Sequence, residues 1–131
     1  MKSEFLLLLC FLSFSLLGQN TKTILFVGTY TDGKPEAGIY TYQFNPVSGD
    51  LTFLSKGENI INPSFLILSP SGEFLYSCTE TKQAKPGYVS AFRVDSVTGK
   101  IAFINKQSSG GANPVFVAVS KDGSHLLNGN Y

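Results

Sequence analysis

One sequence motif occurs twice in this 131-residue chain, and this repetition limits the folds that the chain can adopt. The first copy, NPSFLILSPSGEFLYSCTE, begins at Asn62, and the second, NPVFVAVSKDGSHLLNGNY, begins 51 residues later at Asn113. The similarity continues upstream of each copy, where identical residues recur 50 positions apart: Val47 and Val97, Gly49 and Gly99, Phe53 and Phe103. The chain therefore consists of repeating units of about 50 residues, and its fold must repeat in the same way.

Each unit contains short runs rich in β-branched and aromatic residues, separated by turn signals. The run IYTYQF alternates aromatic and polar residues, as a half-buried strand does, and NPVSGD after it combines residue types that favour turns. The run SFLILS does not alternate, which is typical of a strand covered on both faces. No stretch after Thr21 has apolar residues at helical spacing, so we predict about nine antiparallel strands and little or no helix.

Four strands in a repeat of about 50 residues are typical of one blade of a β-propeller. We therefore predict an all-β fold, a partial β-propeller of four-stranded antiparallel blades, in which Gly49 and Gly99 occupy equivalent hairpin turns. The first blade lacks its innermost strand, and the last blade is truncated after two. Because a ring needs at least about four blades, we expect residues 21–131 to be the N-terminal blades of a longer propeller. We also expect apolar groups of these incomplete blades to be exposed, among them Val27, Phe53, Phe116 and Val119.

The first twenty residues, MKSEFLLLLCFLSFSLLGQN, differ in composition from the rest of the chain. Lys2 precedes an apolar run from Phe5 to Leu17, which is shorter than the roughly 20 residues that a membrane-spanning helix needs. A basic start, a short apolar core and small residues near Gly18 are typical of a secretory signal. We predict that residues 1–20 are a signal peptide, that no membrane segment remains after its removal, and that the mature protein is periplasmic or secreted. A lipoprotein signal that uses Cys10 is the alternative.

Composition excludes several classes of function. A formal net charge of +1 provides no basic surface for nucleic acid or anionic lipid. Two cysteines and one histidine provide neither a disulfide framework nor a zinc site. We interpret Cys78 as a small apolar residue of a strand. His125 follows a hairpin turn at the end of the blades opposite the expected site, so no Ser-His-Asp arrangement can be built there.

Five stretches occur in a fixed order along the chain: FVGTYT, GIYTYQFNPVSGDL, NPSFLILSPSGEFLYSCTE, GYVSAFRVDSVTGKI and NPVFVAVSKDGSHLLNGNY. Together they resemble the N-terminal third of the lactonase-family seven-bladed propellers. This is the bacterial 6-phosphogluconolactonase type, which is related to the carboxymuconate-lactonizing enzymes. The resemblance covers residues 23–131, and it depends on the order of the stretches more than on any one of them. The chain departs from the family at Phe116, where members often carry His or Tyr, and at LLNGNY, which replaces a more usual Ala-Asn-Tyr.

The resemblance implies hydrolysis of a small-molecule lactone of a sugar acid, without a metal or another cofactor. A water activated by a His or a carboxylate would attack the lactone carbonyl, and Arg would hold the anionic groups of the substrate. The family's His and Arg motifs belong to blades after Tyr131, so we assign no catalytic residue. We expect the full-length protein to be a monomer. A non-catalytic propeller that binds a carbohydrate or a protein ligand in its funnel is the alternative from another class.

In propellers, the loop that enters the innermost strand and the loop that leaves the second strand lie on one face, where the axial funnel opens. We therefore predict that four residues on this face bind the substrate: Asn62, Glu80, Asn113 and Tyr131. Tyr30 and Asn130 are expected on the same face. For the two Asn-Pro pairs the alternative is a corner in which the Asn bonds its own backbone. The alternatives for Glu80 and Tyr131 are a solvated charge and a packing role.

Overall fold

The computed structural model describes residues 22–31, 38–80 and 86–131. Within these ranges the chain forms nine β-strands and no helix, as predicted. The strands are β1 (Thr23–Gly28), β2 (Ile39–Phe44), β3 (Leu51–Gly57), β4 (Pro63–Leu68), β5 (Phe74–Thr79), β6 (Pro86–Val94), β7 (Ile101–Ala112), β8 (Pro114–Val119) and β9 (Leu126–Asn130). The predicted signal peptide lies outside the described residues.

The nine strands form three antiparallel sheets in which strands that follow one another in the chain are neighbours. The first blade is the three-stranded sheet β1-β2-β3, the second is β4-β5-β6-β7, and the third is the two-stranded sheet β8-β9. This grouping confirms the predicted partial propeller, including the three strands of the first blade and the two of the last. No helix that could cross a membrane occurs in the part of the chain that the structure describes.

The hairpin turns at Gly49 and Gly99 are equivalent, as the 50-residue spacing predicts. In each turn the side chain of the first residue accepts hydrogen bonds from two backbone N–H groups: Asn45 from Val47 (2.9 Å) and Ser48 (3.3 Å), and Asp95 from Val97 (2.9 Å) and Thr98 (3.1 Å). Both glycines have a positive φ, 81° and 73°, which side chains rarely adopt. The Thr98 hydroxyl, with these N–H groups, holds the pKa of Asp95 below its ordinary value.

Strand β7 is longer than the sequence indicates. The run IAFINK predicts a strand that ends at Lys106, but β7 continues to Ala112. The extension pairs with β6, which itself begins at Pro86, so that Ser108 lies opposite Tyr88 and Ala112 opposite Pro86. A register shift between Pro86 and Tyr88 accommodates the extra residues. The glycines and serines of this segment are poor strand formers, and cross-strand pairing outweighs their local preference.

Among the described residues, the core consists of two apolar clusters, one on each side of the second blade. The first cluster joins the first and second blades and contains Ile39, Ile60, Leu75 and Phe92. The second joins the second and third blades and contains Cys78, Val89 and Val117. Burial raises the pKa of Cys78 to about 11, so its thiol stays protonated at neutral pH and Cys78 serves as an apolar core residue.

Strand β4 contacts both clusters through alternate residues. Leu66 packs against the first cluster, whereas Phe65 and Ile67 pack against the second. The prediction of a strand with a neighbour on each face is therefore confirmed. The strand is only half-buried among the described residues, however, and Leu68 remains 40% exposed.

The prolines of the two Asn-Pro pairs form matching contacts between blades. Pro63 and Pro114 are fully buried, and each lies against a glycine of the preceding blade. A Cβ atom on Gly87 would lie 2.1 Å from Cδ of Pro114, and one on Gly38 would lie 3.0 Å from Cδ of Pro63. The blades can therefore approach this closely because these two positions carry no side chain.

Candidate functional site

The four predicted binding residues lie at one end of the blades, where the inner strands begin and the second strands end. The backbone N–H of Glu80 donates to the carbonyl of Asn62 (3.0 Å). One repeat later, the N–H of Tyr131 donates to the carbonyl of Asn113 (3.1 Å). The structure therefore brings the four residues together in two equivalent pairs, and we call this end of the blades the rim.

Asn62 connects the first blade to the second at the rim. Its side chain is buried, with 6% exposed, and its φ is 41°. Its Oδ1 accepts hydrogen bonds from the backbone N–H (2.8 Å) and the hydroxyl (3.2 Å) of Thr31, and its Nδ2 donates to the carbonyl of Glu80 (3.0 Å). The side chain thus bonds Thr31 and Glu80, which are separated from it by 31 and 18 positions in the chain, rather than the backbone of the local Asn-Pro corner. Contact between Asn62 and a substrate stays a prediction.

Glu80 forms a side-chain pair with Tyr30 across the same boundary between blades. The Tyr30 hydroxyl donates to Oε2 of Glu80 at 2.5 Å. Glu80 is half-buried, and Tyr30 is exposed. The hydrogen bond to the Glu80 carboxylate raises the pKa of Tyr30 above its ordinary value, so the phenol stays protonated and donating through neutral pH.

Sequence reasoning placed Tyr30 on the correct face but did not identify it as a partner of Glu80. The signal was present, because the two residues are 50 positions apart and therefore equivalent in successive blades. Equivalent positions of adjacent blades are neighbours around the axis of a propeller. The spacing could have predicted the pair.

The third blade repeats part of this arrangement. Asn113 has a φ of 56°, in the same left-handed region as Asn62. Tyr131 occupies the position equivalent to Glu80 and is exposed. Asn128 and Asn130, on one side of β9, both donate from Nδ2 to the carbonyl of Ser109, at 2.9 and 3.0 Å. These two amides attach the third blade to β7, a role that the sequence did not reveal.

A cavity of about 690 Å³ opens beside the rim, between the segment that joins β3 to β4 and the outer strands of the second blade. Thr79 and Ile61, the neighbours of Glu80 and Asn62 in the chain, contribute to its wall. Its polar groups include Lys106, whose Nζ lies 4.6 Å from the centre of the Tyr88 ring. The cavity is large enough for a small molecule.

The opposite end of the blades contains His125 in an exposed turn. Nδ1 of His125 and Oδ2 of Asp122 both bond the hydroxyl of Ser124, each at 2.7 Å. The order is therefore Asp–Ser–His, in which the carboxylate does not orient the imidazole as a catalytic triad requires. Hydrogen bonds from the Ser120 and Ser124 hydroxyls lower the pKa of Asp122 from its ordinary value to about 2. Across residues 22–31, 38–80 and 86–131, no three His, Cys, Asp or Glu side chains could hold a metal ion together.

Consecutive antiparallel sheets of three, four and two strands, stacked through two apolar clusters, are the blades of a β-propeller. Residues 24–131 match the family described as "Lactonase, 7-bladed beta-propeller", and the chain belongs to that family.

Two curated relatives are similar to the chain. It is 44% identical over 107 residues to the 6-phosphogluconolactonase of Formosa agariphila, and the aligned region covers 82% of this chain and 30% of that relative. It is 32% identical over 111 residues to the 6-phosphogluconolactonase of Bacillus subtilis, and the aligned region covers 85% of this chain and 31% of that relative. The chain therefore spans about 30% of the length of the curated relatives that it matches.

Solved structures show the same similarity. A provisional 6-phosphogluconolactonase from Bacteroides fragilis superposes with a TM-score of 0.76 and 34% identity, over 87% of this chain and 31% of that one. The periplasmic gluconolactonase of Pseudomonas aeruginosa superposes with a TM-score of 0.72 and 28% identity, over 83% of this chain and 31% of that one. The strand order described above therefore belongs to a fold that these two structures share.

Proposed function

We propose that this chain is the N-terminal part of a lactone hydrolase that opens a sugar-acid lactone to the free acid. Water adds to the carbonyl carbon, the bond from that carbon to the ring oxygen breaks, and the ring oxygen takes a proton to become a hydroxyl. Two relatives that carry the name 6-phosphogluconolactonase support the reaction class. The rim supports a location, since its polar side chains come from two blades and converge on one end of the fold.

Within this proposal the rim residues bind substrate and perform no chemistry. Glu80 accepts hydrogen bonds from substrate hydroxyls, and Asn113 and Tyr131 line the next part of the funnel. Asn62, whose contact with substrate stays a prediction, also holds Thr31 and Glu80 in place. The base that activates water, and the Arg that holds anionic groups, belong to later blades. The reaction needs no metal, as the resemblance implies, and the full-length protein is a monomer.

The reaction is tested with the protein expressed from its complete reading frame. We expect hydrolysis of glucono-1,5-lactone well above the spontaneous rate, measured as acid release in a pH-stat, and unchanged after treatment with EDTA. A protein that binds D-gluconate but does not accelerate hydrolysis would favour the non-catalytic alternative. A loss of activity after chelation would contradict the metal-free mechanism.

We further propose that the mature protein is periplasmic or secreted and has no membrane segment. The composition of residues 1–20 supports export, and one similar structure is a periplasmic gluconolactonase. Export also favours a lactone other than 6-phosphogluconolactone, which is made in the cytosol. Mass spectrometry of the mature N-terminus should find processing near residues 18 to 20. An intact Met1 in a cytosolic fraction would contradict export.

A further inference from the structure

The Tyr30–Glu80 pair is built into the fold more firmly than two surface side chains usually are. The buried side chain of Asn62 accepts a hydrogen bond from the backbone N–H of Thr31, the residue after Tyr30, at 2.8 Å. It also donates to the carbonyl of Glu80 at 3.0 Å. The backbone N–H of Glu80 also donates to the carbonyl of Asn62. A single buried amide therefore aligns the two backbones, and the 2.5 Å bond between the side chains follows from that alignment.

Among the residues that the structure describes, the pair keeps unused hydrogen-bonding capacity that suits a hydroxylated ligand. A carboxylate has about four acceptor positions, of which the Tyr30 phenol uses one. The phenol oxygen can itself still accept a hydrogen bond while its proton is donated. Because the carboxylate raises the pKa of Tyr30, this arrangement persists through neutral pH. A carboxylate fixed in direction by a neighbour is well suited to accept hydrogen bonds from two adjacent hydroxyls of a polyol.

We propose that the Tyr30–Glu80 pair is a subsite that binds substrate hydroxyls and selects polyhydroxylated lactones over unsubstituted ones. Glu80 is the specificity-determining residue, and Tyr30 is a positioning residue that fixes the Glu80 carboxylate. This inference rests on the proposed function and names the substrate class of the same site. Its physical basis is that a site built to hydrogen-bond a substrate hydroxyl rejects an analogue that lacks the hydroxyl, because the polar group of the site is then left unpaired.

The test compares two lactones that differ in their hydroxyls, using the protein from the complete reading frame. Glu80→Gln should lower kcat/KM for glucono-1,5-lactone about 10- to 100-fold, because a hydrogen bond to a charged group contributes about 1.5–3 kcal/mol. The value for δ-valerolactone, which has no hydroxyls, should change less than about twofold. Tyr30→Phe should lower kcat/KM for glucono-1,5-lactone about 3- to 10-fold and have no further effect once Glu80 is Gln.

Two control variants carry the same chemical changes elsewhere. Glu73→Gln lies in the exposed turn at the opposite end, and Tyr40→Phe lies within β2. Neither should alter the ratio of the two kcat/KM values. Thermal melting of every variant identifies any that fails to fold. Tyr30→Phe changes an exposed side chain and is expected to fold normally.

Binding of D-gluconate, measured by isothermal titration calorimetry, separates failure of this inference from failure of the proposed function. If the protein hydrolyses both lactones and Glu80→Gln leaves their ratio unchanged, the subsite is wrong and the hydrolase stands. If it hydrolyses neither but binds D-gluconate in a manner that depends on both Tyr30 and Glu80, the subsite stands and the hydrolase is wrong. A protein that neither hydrolyses a lactone nor binds D-gluconate overturns both.

Discussion

Residues 21–131 expressed alone should be insoluble or oligomeric, and they should hydrolyse no lactone. Several large apolar side chains are exposed on the blade faces: Phe53 (54%), Phe103 (61%), Phe116 (48%) and Leu127 (67%). Burying one such side chain contributes about 1.5–3 kcal/mol, whereas a whole domain is stable by only about 5–15 kcal/mol. The strands at the sheet edges add unpaired backbone groups that favour aggregation.

The predicted set of exposed residues is correct for Phe53 and Phe116 and wrong for Val27 and Val119, which are half-buried. Strand β1 lies beside β4, and β8 lies beside β4 and β5, so these two valines are partly covered by the second blade. The remaining exposed area is still large enough to support the expected result.

Size-exclusion chromatography, thermal melting and a lactone assay test this expectation. The protein from the complete reading frame serves as the control and should elute as a monomer with a cooperative transition. A monomer of residues 21–131 that melts cooperatively and turns over lactone would contradict both the expected instability and the placement of the catalytic residues.

Replacing Asn62 with alanine should destabilise the complete protein by about 2–4 kcal/mol. The substitution removes the Asn62 partner of the buried backbone N–H of Thr31 and of the part-buried carbonyl of Glu80, and a buried group left unsatisfied costs about 1–3 kcal/mol. It also places alanine at a φ of 41°, which asparagine tolerates better. The KM for a hydroxylated lactone should rise as well, because Asn62 aligns Tyr30 with Glu80.

Urea denaturation measures the loss, and Asn59→Ala is its matched control. Asn59 has a similar φ of 58° but is exposed, so its replacement reports the backbone cost of about 1 kcal/mol without the loss of buried hydrogen bonds. If Asn62→Ala costs no more than Asn59→Ala, the side chain of Asn62 does not stabilise the boundary between the blades.

Local sequence patterns specify the features of the fold that depend on residues close together in the chain. The 50-residue repeat, the strand order and the equivalent turns at Gly49 and Gly99 were predicted correctly. A turn is specified within a few residues, by an Asn or Asp that bonds the backbone ahead of it and a glycine that accepts a positive φ. The common face of Asn62, Glu80, Asn113 and Tyr131 was also predictable, since alternate strand ends of a meander lie on the same edge.

Which side chains meet across the blades depends instead on how whole blades pack. The length of β7 depends on its pairing with β6 as far as Pro86. The partial burial of β4 depends on strands of two other sheets. The hydrogen-bond partner of the Tyr30 hydroxyl lies in the next blade. Asn62 shows the reason most clearly. Its local motif indicates a turn, but its buried amide bonds Thr31 and Glu80, which lie 31 and 18 positions away in the chain. Contacts between segments far apart in the chain arise when whole blades pack, and local patterning does not encode that packing.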